Sequence, residues 1–306
     1  MTTMTSSSST ASALPVRRSA ARRMWRSLYR AKWPLLALAI LTVLILAAAF
    51  GPLLAPHDPN RQDIIARLKP PFSSAHRGHV YFVLGTDGLG RDVLARLLYG
   101  ARISLIVGLV SVFVGGVIGT MLGTLAGYFG GWIDDTLMRI ADIQLAFPFI
   151  LLAIIFMLVL GPGMMNLILV LGIGQWVTYA RIARGQTMLQ REKEYIEAAR
   201  ALGQKTPGIL FSGILPNILS PLVIIGSFNI ASVILSEAAL SFLGLGVPTT
   251  TPTWGGMLAE SRDQLLAGRW WLAVFPGVAI MLTVLSFNLL GDWFRDFLDP
   301  RLANEN

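Results

Sequence analysis

Ile103 to Tyr128 reads ISLIVGLVSVFVGGVIGTMLGTLAGY, an unbroken stretch without a single charge. About 20 apolar residues suffice for a helix to cross the roughly 30 Å hydrocarbon layer, so this stretch reads as a membrane span. It also carries Ser111, Gly115, Gly119, Gly123 and Gly127 at a spacing of four, which aligns them on one face of a helix. A groove of small residues lets a second helix approach closely, and in lipid such close approach drives helix association. The partner helix is either another span of the same bundle or a span of a second membrane subunit.

Working outward, the rest of the chain repeats the pattern. Of its 306 residues, 54% are hydrophobic and 14% charged, with a mean hydropathy of +0.62, whereas soluble domains are about one-quarter charged. Upstream, the uncharged stretch between Lys32 and His57 gives a first span near Trp33 to Leu54. Its basic leader and Ala47-Ala48-Ala49 resemble a signal peptide, but the apolar part is long enough to predict a retained anchor. Downstream, Asp142 to Arg181 is uncharged between its ends, too long for one crossing, and Gly161-Pro162-Gly163 breaks helix in its middle. Spans three and four are therefore expected to form a hairpin there. A fifth span runs from about Ile218 to Leu240 and a sixth from about Trp270 to Leu290, opened by two interfacial tryptophans. The fold class predicted is all-α integral membrane with six helices. The first 24 residues, rich in Ser, Thr and Ala, are expected to be disordered.

The net charge of +8 is concentrated rather than spread. Arg17, Arg18, Arg22, Arg23, Arg26, Arg30 and Lys32 precede span one, and Arg181, Arg184, Arg191, Lys193, Arg200 and Lys205 lie between spans four and five. The span three to four turn has no basic residue. By the positive-inside rule both basic segments, and hence both termini, are cytoplasmic. The segment between spans one and two disagrees, since it holds Arg61, Arg67, Lys69, Arg77, Arg91 and Arg96, offset by Asp58, Asp63, Asp87 and Asp92. Charge confined to membrane flanks also argues against nucleic-acid binding.

Enzymatic chemistry finds little support. The absence of cysteine excludes disulfides, thiolate metal sites and cysteine nucleophiles. No Gly-Lys dipeptide exists, so no phosphate-binding P-loop does either. His57, His76 and His79 share one loop, but only His76 and His79 are close enough to hold a common metal, and they lack a third ligand at a metal-site spacing. Ion-driven carriers keep ionisable residues within their spans. Here Glu237 is the one candidate, read as an interfacial or helix-packing carboxylate or as a group acting in gating.

The loop from Arg184 to Asn217 is the most informative. Gln190 to Leu202 (QREKEYIEAARAL) reads as a polar helix that Gly203 ends. Thr206 as N-cap and Pro207 in the first helical position then start a short apolar helix that runs through Leu215 and stops at Pro216. Two short helices joined at a bend make a knob for docking.

Glu197-Ala198-Ala199, then Gly203, then Leu215-Pro216 resembles the cytoplasmic EAA motif of importer-type ABC permeases. Three residues before the proline, where many such motifs have isoleucine, this chain has Gly213. Three longer stretches resemble the C-type subunit of the dipeptide/oligopeptide/nickel branch: LGTDGLGRDVLARLLYGARISL (Leu84 to Leu105), LSEAALSFLGLGVPTTTPTWGGML (Leu235 to Leu258) and WWLAVFPGVAIMLTVLSFNLLGDWFRDFLDPRL (Trp270 to Leu302). Together the matches cover about residues 25 to 302.

The resemblance implies a type I ABC importer permease fold in a bacterial inner membrane. It divides the chain into a tail (1–24), a first span with an external loop (25–101), a core transmembrane domain (102–291) and a cytoplasmic carboxyl end (292–306). It further implies a second homologous permease, two ATPase subunits that carry the ATP and Mg, and an external solute-binding protein, with no cofactor on this chain. Glu197, Ala198, Ala199, Gly203, Leu215 and Pro216 would meet the ATPase, with Glu197 accepting hydrogen bonds from its own loop or from ATPase donors. Asp87, Arg91 and Asp92 would pair with the binding protein or with each other. A second charged cluster, Asp292, Arg295, Asp296, Asp299 and Arg301, follows span six as a solvated helix end or a partner contact. The solute expected is a di- or oligopeptide, with nickel or glutathione as the alternative.

Overall fold

The structure is a computed structural model, and it describes residues 32–74 and 81–298. The chain runs through α1 (Lys32–Leu54), a 3-10 turn (Ile64–Ala66), an antiparallel pair of two-residue strands, β1 (Ser73–Ser74) and β2 (Tyr81–Phe82), then α2 (Val93–Phe129), α3 (Gly131–Leu145) and α4 (Phe149–Leu160). It continues through α5 (Met164–Arg191), α6 (Glu194–Ala201), α7 (Thr206–Gly208), a π-helical stretch (Ile209–Ile214), α8 (Leu215–Phe242), α9 (Trp254–Leu265) and α10 (Trp271–Leu298). Residues 1–31, His76, His79, Asp299 and Arg301, on which the tail, the paired histidines and part of the carboxyl-terminal cluster were placed, lie outside the described residues.

Among the described residues five helices, α1, α2, α5, α8 and α10, are long and apolar enough to cross a membrane. Their outer faces are as apolar as their inner ones, with Val43, Phe113, Met165, Val223 and Met281 more than half exposed. Such a surface suits lipid, in which every backbone polar group must be satisfied within its own helix.

The third crossing departs from the reading of a single helix after Asp142. α3 and α4 form a pair bent by 88°, and α4 alone has 12 residues, about 18 Å at the α-helical rise. The break falls just before Pro148, which disfavours helical backbone at Phe147 and supplies no N–H of its own. The turn at Gly161 stands as read, its positive φ of 80° closing α4.

α2 begins ten residues before the apolar run, at Val93, because Asp92 caps it by accepting the Leu94 N–H at 2.9 Å. Its glycine stripe lies against α5. A Cβ on Gly115, Gly119, Gly123 or Gly127 would collide in turn with the carbonyl oxygens of Gly172, Trp176, Ala180 and Arg184. Both sets advance by four residues in the same direction, so the two helices are parallel and ridge meets groove along their whole contact. Parallel packing requires the bent α3–α4 pair to bring the chain back between them, which makes the sixth crossing. Arg191 closes the assembly by donating to the orphan carbonyls of Gly127 (3.1 Å) and Tyr128 (3.3 Å) at the end of α2.

The main core lies among α2, α5 and α8, where Val107, Leu167, Leu171, Ile218, Val233 and Leu240 are buried. A second core joins the start of α2 to α9 and α10 through Val93, Ala101, Trp254, Trp271 and Leu272. α1 rests on the outside, Ala37 and Leu41 against Leu290.

Candidate functional site

Two constructions stand at opposite ends of α8, one around α6 and one around α9.

At the first end the polar helix read as one element is two. α5 stops at Arg191 and α6 restarts at Glu194. α6 has acidic residues in its first turn and Arg200 in its last, which suits the helix dipole. It ends in a complete Schellman turn: Gly203 N–H donates to Arg200 C=O (2.9 Å) and Gln204 N–H to Ala199 C=O (3.0 Å). Gly203 has φ +78° and open space around its Cα, so its requirement is conformational rather than steric. Of the predicted docking residues, Glu197 and Ala198 are exposed and Ala199 is half-buried. Among the described residues the Glu197 side chain has no hydrogen bond within its own loop, which leaves the other donors expected for it, those of an ATPase.

The helix after the bend also differs from expectation. Lys205, with extended backbone, is the N-cap, Thr206 opens the helix and Pro207 follows it. Pro216 does not stop the chain, which stays helical from Thr206 to Phe242. Proline lacks the N–H that the Ser212 carbonyl would need in an α-helix, and the π-helical stretch immediately before Leu215 widens the turn that has to absorb it. Leu215 and Pro216 thus belong to the root of α8, half-buried and exposed respectively.

What seats the knob is a residue that the motif does not contain. Ile196, 1% exposed, points from α6 into the main core beside Ile209 and Ile214. A Cβ on Gly213 would stand 2.8 Å from its Cδ1, so the glycine makes room for Ile196. The outward side of the knob is apolar where solvent would favour polar groups: Leu202 is 87% and Phe211 67% exposed. Arg200 adds a cation–π contact to Tyr128 at the end of α2, 5.2 Å from the ring centre.

At the second end, α9 folds back over the ends of α2 and α8. Glu237, expected near an interface, is fully buried on α8. Its carboxylate accepts from Ser241 Oγ (2.8 Å) and Ser104 Oγ (3.3 Å), and Ser104 Oγ in turn accepts the Trp254 N–H (3.4 Å) at the start of α9. The helix therefore hangs on a relay that crosses from α8 through α2.

The side of α9 is held by charge. Arg91 Nε donates to Asp87 (2.6 Å) and Arg91 Nη2 to Glu260 on α9 (2.6 Å); Arg96 from α2 donates to the same two carboxylates. Burial alone would raise the Asp87 carboxyl, but the guanidiniums of Arg96 and Arg91, with the backbone N–H groups of Arg91 and Leu89, hold it below the ordinary carboxylate value. Asp92 is engaged elsewhere, with His57 Nδ1 at 2.7 Å. Arg96 and Glu260 were invisible to sequence reasoning, because nothing in the spacing of residues 164 apart joins them.

Comparison with known proteins agrees with this architecture. The family described as "Binding-protein-dependent transport system inner membrane component" matches residues 119–304, and the "N-terminal TM domain of oligopeptide transport permease C" matches residues 19–71. The di/tripeptide transport system permease of Pseudomonas aeruginosa is 40% identical over 92% of this chain and 93% of its own length. The glutathione transport system permease of Salmonella typhimurium is 46% identical over 92% and 90%. The dipeptide transport system permease of Bacillus subtilis is 40% identical over 91% and 85%. Among solved structures, the inward-facing MetNI methionine ABC transporter shares the fold, with a TM-score of 0.54 at 22% identity over 67% of this chain and 97% of that one. The chain belongs to the binding-protein-dependent transport system inner membrane component family.

Proposed function

We propose that this chain is the C-type permease subunit of an ATP-driven importer that takes up di- or oligopeptides. The observation that carries the reading is the knob around α6: a short helix fixed to the bundle core by Ile196, yet turning Glu197, Leu202 and Phe211 outward. Apolar groups exposed at the polar end of a membrane bundle mark a protein contact. In this reading the contact is an ATPase subunit, which carries the ATP and Mg. Closure of two such ATPases pushes the knobs as rigid bodies, and α8, continuous with the knob, carries the tilt to the opposite end.

The same reading puts the α6 end and both termini in the cytoplasm and α9 with the Asp87 loop outside, in the inner membrane of a bacterium, facing a solute-binding protein. A second permease completes the pathway. Peptide as solute is supported by the names of relatives that align over nine-tenths of the chain. Glutathione, itself a tripeptide thiol, is the second reading, favoured by the 46% identity to a glutathione permease.

The test is uptake by proteoliposomes that hold the chain with its native partners, supplied with labelled dialanine, glutathione or a nickel chelate. ATP-dependent accumulation of dialanine or of glutathione chooses between the two readings. Uptake driven by an ion gradient without ATP would overturn both.

A further inference from the structure

The knob is jointed to the bundle on both sides. α6 is separated from α5 by Glu192 and Lys193 and from α7 by the bend at Gly203. Ile196 seats it, Ala199 leans on the same core and Arg200 lies over the Tyr128 ring, but apolar and cation–π contacts are weakly directional and oppose rotation about the seat only lightly. Something must stop that rotation if a push on α6 is to reach α8 undiminished.

The Tyr195 hydroxyl is placed to do so. It lies 2.8 Å from Gln190 Oε1 in the last turn of α5, 3.2 Å from the carbonyl of Gly213 in the π-helical stretch, and 3.3 Å from Asn217 Nδ2 in the first turn of α8. Asn217 Nδ2 also donates to the Gly213 carbonyl at 2.6 Å. A phenol has one proton to give and can accept as well. It gives that proton to Gln190, the nearer acceptor, and takes one from Asn217, while Asn217 also satisfies Gly213. One oxygen thereby ties three elements, and because Tyr195 is 46% exposed while Ile196 is buried, the tie lies outside the seat rather than within it and resists rotation about it. The ring is 46% exposed, so removal of the hydroxyl leaves the core untouched.

We propose that Tyr195 is a positioning residue for energy coupling: its hydroxyl locks α6 to α5 and α8 so that ATPase closure moves the bundle instead of swivelling the knob. This rests on the reading of α6 as the ATPase docking site. It goes beyond that reading by naming a residue that transmits the push without being required for contact.

The experiment uses the whole complex in proteoliposomes and measures ATP hydrolysed per solute molecule imported, with dialanine or glutathione according to which the unaltered complex takes up. A Leu202→Cys version carrying a thiol-reactive photo-cross-linker, which captures whatever chain lies against it on illumination, reports docking to the ATPase separately. Tyr195→Phe should leave cross-linking and complex recovery unchanged and raise the ATP-to-solute ratio on the order of fivefold, the worth of one neutral hydrogen bond. Asn217→Ala should act in the same direction, and the double variant should add little to either. An unchanged ratio in Tyr195→Phe with docking intact overturns the joint while leaving the docking reading standing. Absence of any cross-link from Leu202→Cys when Tyr195 is intact overturns the docking reading, and the joint with it.

Discussion

Glu260 on α9 receives both terminal nitrogens of Arg96 on α2, Nη1 at 2.5 Å and Nη2 at 3.0 Å, across 164 residues of chain. The guanidinium is 2% exposed and the carboxylate 27%, and Asp87 and Arg91 complete a four-membered charge network around them. Buried pairs add little net stability, but removing one partner strands the other, at a cost of roughly 3–5 kcal/mol. Arg96→Met should therefore destabilise the protein by about that amount, read as thermal unfolding in detergent through the tryptophan signal. Arg96→Lys should recover only part of it, since an ammonium cannot make the planar fork. A loss below about 1 kcal/mol for Arg96→Met, the scale of an exposed pair, would contradict the account.

Acid should act on this network late. The Asp87 carboxyl titrates below its ordinary value in the folded protein, so its contribution is complete above the unfolded value of about 3.9. It is lost only as pH falls through the lower, folded value. Protection of the loop before α2 against protease should be flat from neutral pH to about 5 and fall below that. In Asp87→Asn the acid-dependent part of that fall should disappear, on a baseline already less protected. A midpoint near neutral pH would show that another group governs the loop.

The glycine stripe makes a sharp contrast possible. Gly119 and Gly116 are three residues apart on α2, yet a methyl group on Gly119 would collide with the Trp176 carbonyl whereas one on Gly116 would touch the Tyr179 ring at an ordinary 3.5 Å. Gly119→Val should cost more than about 3 kcal/mol by forcing two backbones apart. Gly116→Ala should change stability by no more than about 1 kcal/mol, helix propensity offsetting the tighter contact. Equal effects at both positions, measured by detergent unfolding, would mean that α2 and α5 are not held by backbone approach.

Much of this was legible in the chain and some could not be. The crossings were readable because a charge-free run of span length has few alternatives, and the stripe because its period of four is that of a helix face. The bend before Pro148 was hidden by Gly161-Pro162-Gly163, a stronger breaker nearby that drew the hairpin to itself. Pro216 misled because proline usually ends a helix, and only the π-helical stretch shows how this one is absorbed. The motif residues of the loop were plain, while Ile196 and Tyr195, which seat and lock it, have partners 18 residues away that local spacing does not reveal. Glu237 was visible as a lone charge, but its burial against Ser104 depends on a third helix.

Ile196 and Gly213 should behave as one unit. Gly213→Ile restores the residue that many related motifs carry, yet here it would overlap Ile196 and destabilise the knob. Ile196→Ala should open a cavity and cost about 2–5 kcal/mol. Combined, the two changes fill the same space from the other side, and the double variant should be more stable than the sum of the singles predicts. Strict additivity in uptake and in thermal unfolding would mean that the two residues do not share the site.

Under the proposed function the α6 knob is where an ATPase engages this membrane subunit. Mild-detergent recovery of the tagged chain from its native membrane, with ATP hydrolysis assayed on what comes with it, tests this most directly when repeated with Glu197→Ala and Gly203→Val. The account predicts a second permease and ATPase subunits with the unaltered chain, fewer ATPase subunits with Glu197→Ala, and a complex with Gly203→Val that hydrolyses ATP without driving uptake, because a β-branched residue cannot hold φ +78° cheaply. Recovery of the chain alone in every sample, under conditions that preserve other such complexes, would contradict it.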